Sequence, residues 1–296
     1  MTLRSIAIAA ACATGLLAVP AAAGAAAPTV MAGPYTVKDY DMTVMGTHGS
    51  PALSVMFTRT AGDAVQSHMY SFASGATVKV KGAKASIKAQ LGAYGAISLK
   101  TKKLGKARKG VVPTGCTGSA GKSRNGSLAG SFELAADTTY FRTVSARKLK
   151  AAVLKGGKLE CGVAPGGSPT ARPAMLTANL ETPAGMLMFS ASRDAGGAVT
   201  QQAMRMDDEA ATAPASIVHL ISARGGASAF SPAADLTAAT GSAVAPFFAG
   251  AFEFAGENLG TMGMGTLSGD LAAKFDSIGT QSIASGGPDA MLMPAQ

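Results

Sequence analysis

Leu128-Ala129-Gly130-Ser131-Phe132-Glu133-Leu134 recurs later in the chain as Phe248-Ala249-Gly250-Ala251-Phe252-Glu253-Phe254. Large apolar residues hold the first, fifth and seventh places of both stretches, and glutamate holds the sixth. Residues of one parity face one side of a strand. Each stretch therefore predicts a strand that buries three side chains and turns Glu133 or Glu253 to solvent. Glycine at the third place suits a bend or a close backbone approach.

Two more matches run in the same order. Arg59-Thr60-Ala61-Gly62-Asp63-Ala64-Val65-Gln66 returns as Arg193-Asp194-Ala195-Gly196-Gly197-Ala198-Val199-Thr200, and Thr117-Gly118-Ser119-Ala120 as Thr240-Gly241-Ser242-Ala243. The offsets fall from 134 (193 minus 59) to 123 (240 minus 117) to 120 (248 minus 128). A duplicated module that lost loop residues in its second copy behaves this way. Glycine is 37 of 296 residues and tryptophan is absent, and short apolar stretches alternate with turn residues. That pattern predicts an all-β chain. The expected fold is two tandem, duplicated β-sandwich modules, immunoglobulin-like or jelly-roll-like. One continuous double β-sandwich is the alternative. The modules would be residues 28–165 and 166–296, joined through Pro165-Gly166-Gly167-Ser168-Pro169-Thr170-Ala171-Arg172-Pro173, too rich in proline and glycine to pack as a strand.

The N-terminus reads as a secretory signal peptide over residues 1–27. Arg4 is the sole charge before Lys38, an apolar run extends from Ile6 to Val19, and an Ala/Gly tract follows Pro20. Ala-x-Ala cleavage fits after Ala23, Ala25 or Ala27. The apolar run is short for a membrane-spanning helix of about 20 residues, and no later segment predicts a transmembrane span. The expected location is extracellular, with association at the cell surface. Removing the leader leaves Cys116 and Cys161, and an even count in an oxidising compartment predicts a disulfide, worth about 4 kcal/mol on the chain-entropy view.

Charge divides sharply between the copies. Residues 28–165 hold 20 Lys+Arg and 6 Asp+Glu, a net +14; residues 166–296 hold 5 and 11, a net −6. The densest basic run supplies Lys100, Lys102, Lys103, Lys106, Arg108 and Lys109 as candidate polyanion contacts. Lys79, Lys81, Lys84 and Lys88 alternate as a solvent-facing strand would. Outside a cell such a patch meets anionic wall polymer or acidic glycan; the plainer reading is a solvated face whose lysines blunt a sheet edge. Nucleic acid is disfavoured because aromatics do not interleave with the lysines.

Catalytic and metal signatures are lacking. Gly118-Ser119-Ala120-Gly121-Lys122-Ser123 imitates a phosphate loop, but Cys116 stands where its first glycine belongs. His48, His68 and His219 are isolated, with no second His or Cys at ligand spacing, and His48 reads as a turn residue. No Gly-x-Ser-x-Gly elbow occurs. Glu133 and Glu253 belong to separate copies, which argues against a shared carboxylate pair. Asp207-Asp208-Glu209 lacks the alternating ligands of a calcium loop. No cofactor, metal or catalytic residue is assigned.

Gly126-Ser127-Leu128-Ala129-Gly130-Ser131-Phe132-Glu133-Leu134, followed by Tyr140-Phe141-Arg142-Thr143-Val144-Ser145-Ala146-Arg147-Lys148 and flanked by Cys116 and Cys161, resembles a class of uncharacterised exported β-rich proteins of high-GC Gram-positive bacteria. The resemblance implies export and a β-fold and carries no activity. The expectation is a secreted non-catalytic protein that binds anionic cell-surface polymer or glycan through its basic first module. The alternatives are a secreted hydrolase with a site assembled from scattered residues, and a structural envelope component.

Overall fold

The computed structural model describes residues 27–37, 39–101, 104–112, 116–119, 121–134, 144–156, 158–161, 174–182, 185–194, 196–207, 215–225, 228–284, 287 and 289–295. Residues 1–26 of the predicted leader, the linker after Cys161, Lys102, Lys103, Asp208 and Glu209 lie outside these residues. In chain order the strands are β1 (Thr29–Val37), β2 (Tyr40–Thr47), β3 (Leu53–Ala61), β4 (Ala64–Phe72), β5 (Ala76–Lys81), β6 (Lys84–Gln90), β7 (Gly95–Lys100), β8 (Ala107–Lys109), β9 (Cys116–Ser119), β10 (Lys122–Leu134), β11 (Val144–Lys155) and β12 (Lys158–Cys161). They continue as β13 (Ala174–Thr182), β14 (Gly185–Arg193), β15 (Val199–Asp207), β16 (Ala215–Arg224), β17 (Ala229–Pro232), β18 (Ala238–Ala245), β19 (Phe248–Asn258), β20 (Gly263–Gly269), β21 (Ala272–Phe275), β22 (Gly279–Ser282) and β23 (Asp289–Met293). No helix among the described residues is long and apolar enough to cross a membrane.

The all-β expectation holds, in the form of one large open antiparallel sheet. Among the described residues the strands do not form two separately hydrogen-bonded modules: 21 of them share one sheet, and β9 and β12 form a second. The continuity comes from β4 and β16, which pair antiparallel from Ala64↔Ala223 to Phe72↔Ala215. On one side of this seam the strands follow as β3, β2, β1, β11, β10, β7, β6, β5. On the other they follow as β15, β14, β13, β23, β20, β19, β18, β17. The two runs have the same connection order.

Each run has its own apolar core. In the first, Tyr70 and Phe72 of β4 share a cluster with Val78 of β5 and Ile87 of β6, from the far end of the run. The run therefore curls until its ends face one interior. Tyr94 bridges them, with ring centroids 6.2 Å from Tyr70 and 5.6 Å from Phe72. The second core gathers Phe189, Phe230, Phe252 and Phe254 in the same way. At the seam the strands cross over: Ala64 of β4 lies in the second core and Ile217 of β16 in the first.

The alternation read from Leu128–Leu134 and Phe248–Phe254 is correct for burial. All six large apolar residues are buried, and Glu133 and Glu253 are exposed. The equivalence between the two stretches is displaced by one strand. In the shared connection order β20, not β19, takes the place of β10. Gly126-Ser127-Leu128-Ala129-Gly130-Ser131-Phe132 thus corresponds to Gly265-Thr266-Leu267-Ser268-Gly269-Asp270-Leu271. Likewise the β14–β15 hairpin, matched in sequence to β3–β4, takes the place of β2–β3. Neighbouring strands of one sheet carry the same period-two pattern, so pattern alone does not tell a strand from its neighbour.

Gly130 and Gly269 hold the same place in this correspondence, and both need to be glycine. Their φ angles are +144° and +121°, and a Cβ would strike the carbonyl oxygen of Ser98 in one case and of Ala251 in the other. Gly130→Ala and Gly269→Ala are each expected to lower stability by about 2 kcal/mol or more. Ala129→Ser, on the exposed face beside Gly130, is expected to change it by less than about 0.5 kcal/mol. Urea denaturation of the three variants checks this.

Candidate functional site

The seam register sets His68 of β4 directly opposite His219 of β16. Both imidazoles point inward, where the two cores meet, and both are buried. Their ring centroids are 5.3 Å apart and their Nδ1 atoms 3.0 Å apart. The turn between β21 and β22 closes the gap. Ser277 Oγ lies 2.8 Å from His219 Nδ1 and 3.1 Å from His68 Nδ1.

The other edge of His68 faces the first run. Its Nε2 is 3.2 Å from the Tyr40 hydroxyl, which donates to Asp276 Oδ2 at 2.6 Å. Arg59 Nη1 meets the same carboxylate oxygen at 2.9 Å. The Asp276 N–H donates to Gln66 Oε1 at 2.6 Å. From β15, Arg205 Nη1 donates to Gln281 Oε1 at 2.8 Å, and Gln281 Nε2 donates to the Ile278 carbonyl at 3.0 Å. The turn bearing Asp276 and Ser277 is thus held by β2, β3, β4, β15 and β16 together.

The hydrogen-bond roles assign the tautomers. The hydroxyl hydrogen of Tyr40 goes to Asp276, so its oxygen accepts from His68 Nε2–H. His68 Nδ1 then carries a lone pair, which accepts the Ser277 O–H, while Ser277 Oγ accepts from His219 Nδ1–H. The result is one directed chain from His219 through Ser277, His68 and Tyr40 to Asp276. It requires His68 to be neutral. Burial, the neighbouring His219 and the Arg59 charge, in that order, lower the pKa of His68 from 6.5 to about 3.

This cluster meets part of what a serine hydrolase needs: a hydroxyl against an imidazole, and a carboxylate behind it. The low basicity of His68 makes it a weak proton acceptor near neutral pH. The arrangement as it stands acts as a lock between the two runs. His68 and His219 read as isolated in the sequence because their meeting depends on the seam. One signal was present: His68-Met69-Tyr70-Ser71 and His219-Leu220-Ile221-Ser222 share a His-x-x-Ser spacing on apolar strands.

The other sequence candidates are dispersed. His48 lies in the turn after β2, where its Nδ1 accepts from the Val80 N–H at 3.2 Å. Glu133 and Glu253 stand on strands of different runs and form no pair. Cys116 and Cys161 are directly opposite in the β9–β12 ladder. Lys100 ends β7, Lys106 is exposed, and Arg108 and Lys109 form the exposed β8. A register shift between Ala129 and Phe132 opens a shallow depression lined by Gly130, Ser131, Phe132, Glu133, Ala146 and Arg147. No protein family, curated protein or solved structure matches the chain.

The lowered pKa of His68 fixes the direction of a pH effect. The unfolded chain takes up its proton near pH 6.5 while the folded protein resists until about pH 3. The His68 contribution to stability is therefore fully present above pH 6.5 and is lost as pH falls towards 3, at up to about 1.4 kcal/mol per pH unit. Urea midpoints measured from pH 7.5 to 4 are expected to drop accordingly, and His68→Gln is expected to flatten that slope.

Proposed function

We propose that this is an exported, non-catalytic protein that holds an anionic polymer or acidic glycan on the lysine-bearing outer face of its first run. The supporting observation is the strand register. Lys79 of β5 stands opposite Ser86, Ser86 opposite Lys100, Lys100 opposite Ala129, and Ala129 opposite Lys148. One row across five strands thus carries a lysine at every second strand, about 10 Å apart, with small residues between. Lys88 of β6, also exposed, faces Ser98 in the next row, and Ser98 faces Ser131. A chain of regularly spaced anions laid across the strands meets one ammonium group per repeat.

The matching row of the second run is Ser231, Thr240, Glu253 and Ser268. It has the same geometry and no lysine. The +14 and −6 of the two copies therefore reach equivalent surfaces, and one of the two is dressed for anions. A second basic row, Lys109–Lys122–Lys155, crosses β8, β10 and β11. Like charges placed directly opposite destabilise a sheet, and a bound polyanion relieves them. Lys148, which the densest run in the sequence does not include, joins the outer face through these pairings, whereas Lys122 and Lys155 share the parity of Leu128 and Val153 and so lie on the other side of the sheet, exposed at its end.

Retention on immobilised heparin and on long-chain polyphosphate is the test. Wild-type protein is expected to bind at low salt and to weaken steeply as salt rises. Lys79→Gln/Lys100→Gln/Lys148→Gln is expected to elute at clearly lower salt, and Glu253→Gln in the second run as wild type. Equal elution of the triple-lysine variant and wild type would overturn the reading.

Export also bears on Cys116 and Cys161. Directly opposed residues of an antiparallel pair have Cα atoms about 4.5–5.5 Å apart, inside the range a disulfide spans. We infer that oxidation joins them and fastens β9 to β12 beside the second basic row. Intact mass of the secreted, non-reduced protein is expected to lie two hydrogens below the dithiol mass. Two alkylatable thiols would sink the inference.

A further inference from the structure

Methionine is unevenly placed in this fold. Met42 faces the first core. Every other methionine in a described strand has the parity that faces away from both cores. Met186 and Met188 flank the core residue Leu187, and Met204 lies next to the core residue Ala203. Apolarity does not account for this. The inward faces of the same strands are fully apolar in places and use Leu176, Leu187 and Phe189. On a pleated surface β-branched residues fit better than an unbranched thioether. The outward faces use sulfur where an ordinary sheet would use valine or threonine.

The densest arrangement lies on β14 and β15. Met186 is directly opposite Met206, and Met188 directly opposite Met204. The two pairs are two residues apart along both strands, so the four side chains stand at the corners of a rectangle on one face. Its edges are about 5 Å across the strands and about 7 Å along them. Each sulfur lies two bonds beyond its Cβ, so all four can lean over the centre. Met188, Met204 and Met206 already pack in one cluster with Met69, Val218 and Leu220. Met186, Met188 and Met206 are only partly buried, so the rectangle is open to an incoming ion.

We propose that Met186, Met188, Met204 and Met206 form a binding site for a soft monovalent metal ion, Cu(I), with Ag(I) as its redox-inert stand-in. Thioether sulfur is a soft, neutral donor that favours Cu(I) over hard or borderline divalent ions. Among the described residues no group of three His, Cys, Asp or Glu is placed to hold a metal. Neutral ligands leave the positive charge of the ion in place, and the surroundings accept it. Residues 166–296 are net negative, and exposed Glu181 stands opposite Met186 in the β13–β14 register. The guanidinium of Arg205, between Met204 and Met206 in sequence, is on the opposite face, bonded to Gln281. This site is separate from the lysine face, and each reading can fail without the other.

The test is competition of the full chain against bicinchoninate for Cu(I), without oxygen and with ascorbate present. Wild-type protein is expected to withdraw a single equivalent. Met188→Leu/Met204→Leu, a volume-conserving change, is expected to bind about 100-fold more weakly or worse. Met31→Leu/Met45→Leu, which removes a two-sulfur pair elsewhere on the sheet, is expected to bind as wild type. X-ray absorption of the copper-loaded protein is expected to show sulfur alone in the first coordination sphere. No withdrawal of copper, unchanged affinity in the first variant, or a nitrogen or oxygen shell would each overturn the proposal. If that variant does not fold, Ag(I) titration of wild-type protein labelled with 13C at the methionine methyls decides. Shifts at Met186, Met188, Met204 and Met206 support the site, and shifts elsewhere or none overturn it.

Discussion

The antiparallel pairing of β4 with β16 is the constraint on which the rest of the structure depends. It turns two curled runs into one sheet, and it removes the edges that two separate modules would leave exposed at their junction. Its register sets His68 against His219. A shift of one residue would put the two imidazoles on opposite faces of the sheet and break their meeting with Ser277.

The polar groups gathered at the seam explain why the junction has one geometry. The imidazoles, the Tyr40 hydroxyl and the Gln66 amide lie where two apolar cores approach each other. Buried polar groups that lack partners cost more than their bonds return when made. Here the directed chain from His219 to Asp276 gives each group a role as donor or acceptor. Arg59 answers the charge of Asp276 and lies 5.1 Å from the ring centroid of Phe247. The bonds cross from one run to the other, so neither run completes the lock alone.

Outside the cores, the sheet has differentiated its surfaces. The first run carries lysines on an outward face where the second carries serine, threonine and glutamate. The strands nearest the seam carry methionine on the face turned from both cores. One backbone plan thus offers an anion-attracting surface and a soft, polarisable one. The chemistry is set by residues whose parity frees them from core packing, which is where a fold of two like-ordered runs can change without losing stability.

The sequence by itself determined parity and composition. Leu128, Phe132 and Leu134 are buried and Glu133 is exposed because a strand alternates wherever it sits, and the charge contrast between the copies is a plain count. The basic character of Lys100, Lys106, Arg108 and Lys109 was equally legible. Which strand lies beside which was decided only by the tertiary structure. That is why the sequence match joined β10 to β19 when the fold places β20 in its position, and why Lys122, Lys148 and Lys155 were not recognised as neighbours of the basic run. It is also why the shared His-x-x-Ser spacing of His68 and His219 did not reveal that the two meet. Alternation is a local property of the backbone, whereas pairing brings together residues more than a hundred positions apart, and nothing in the local pattern records its register.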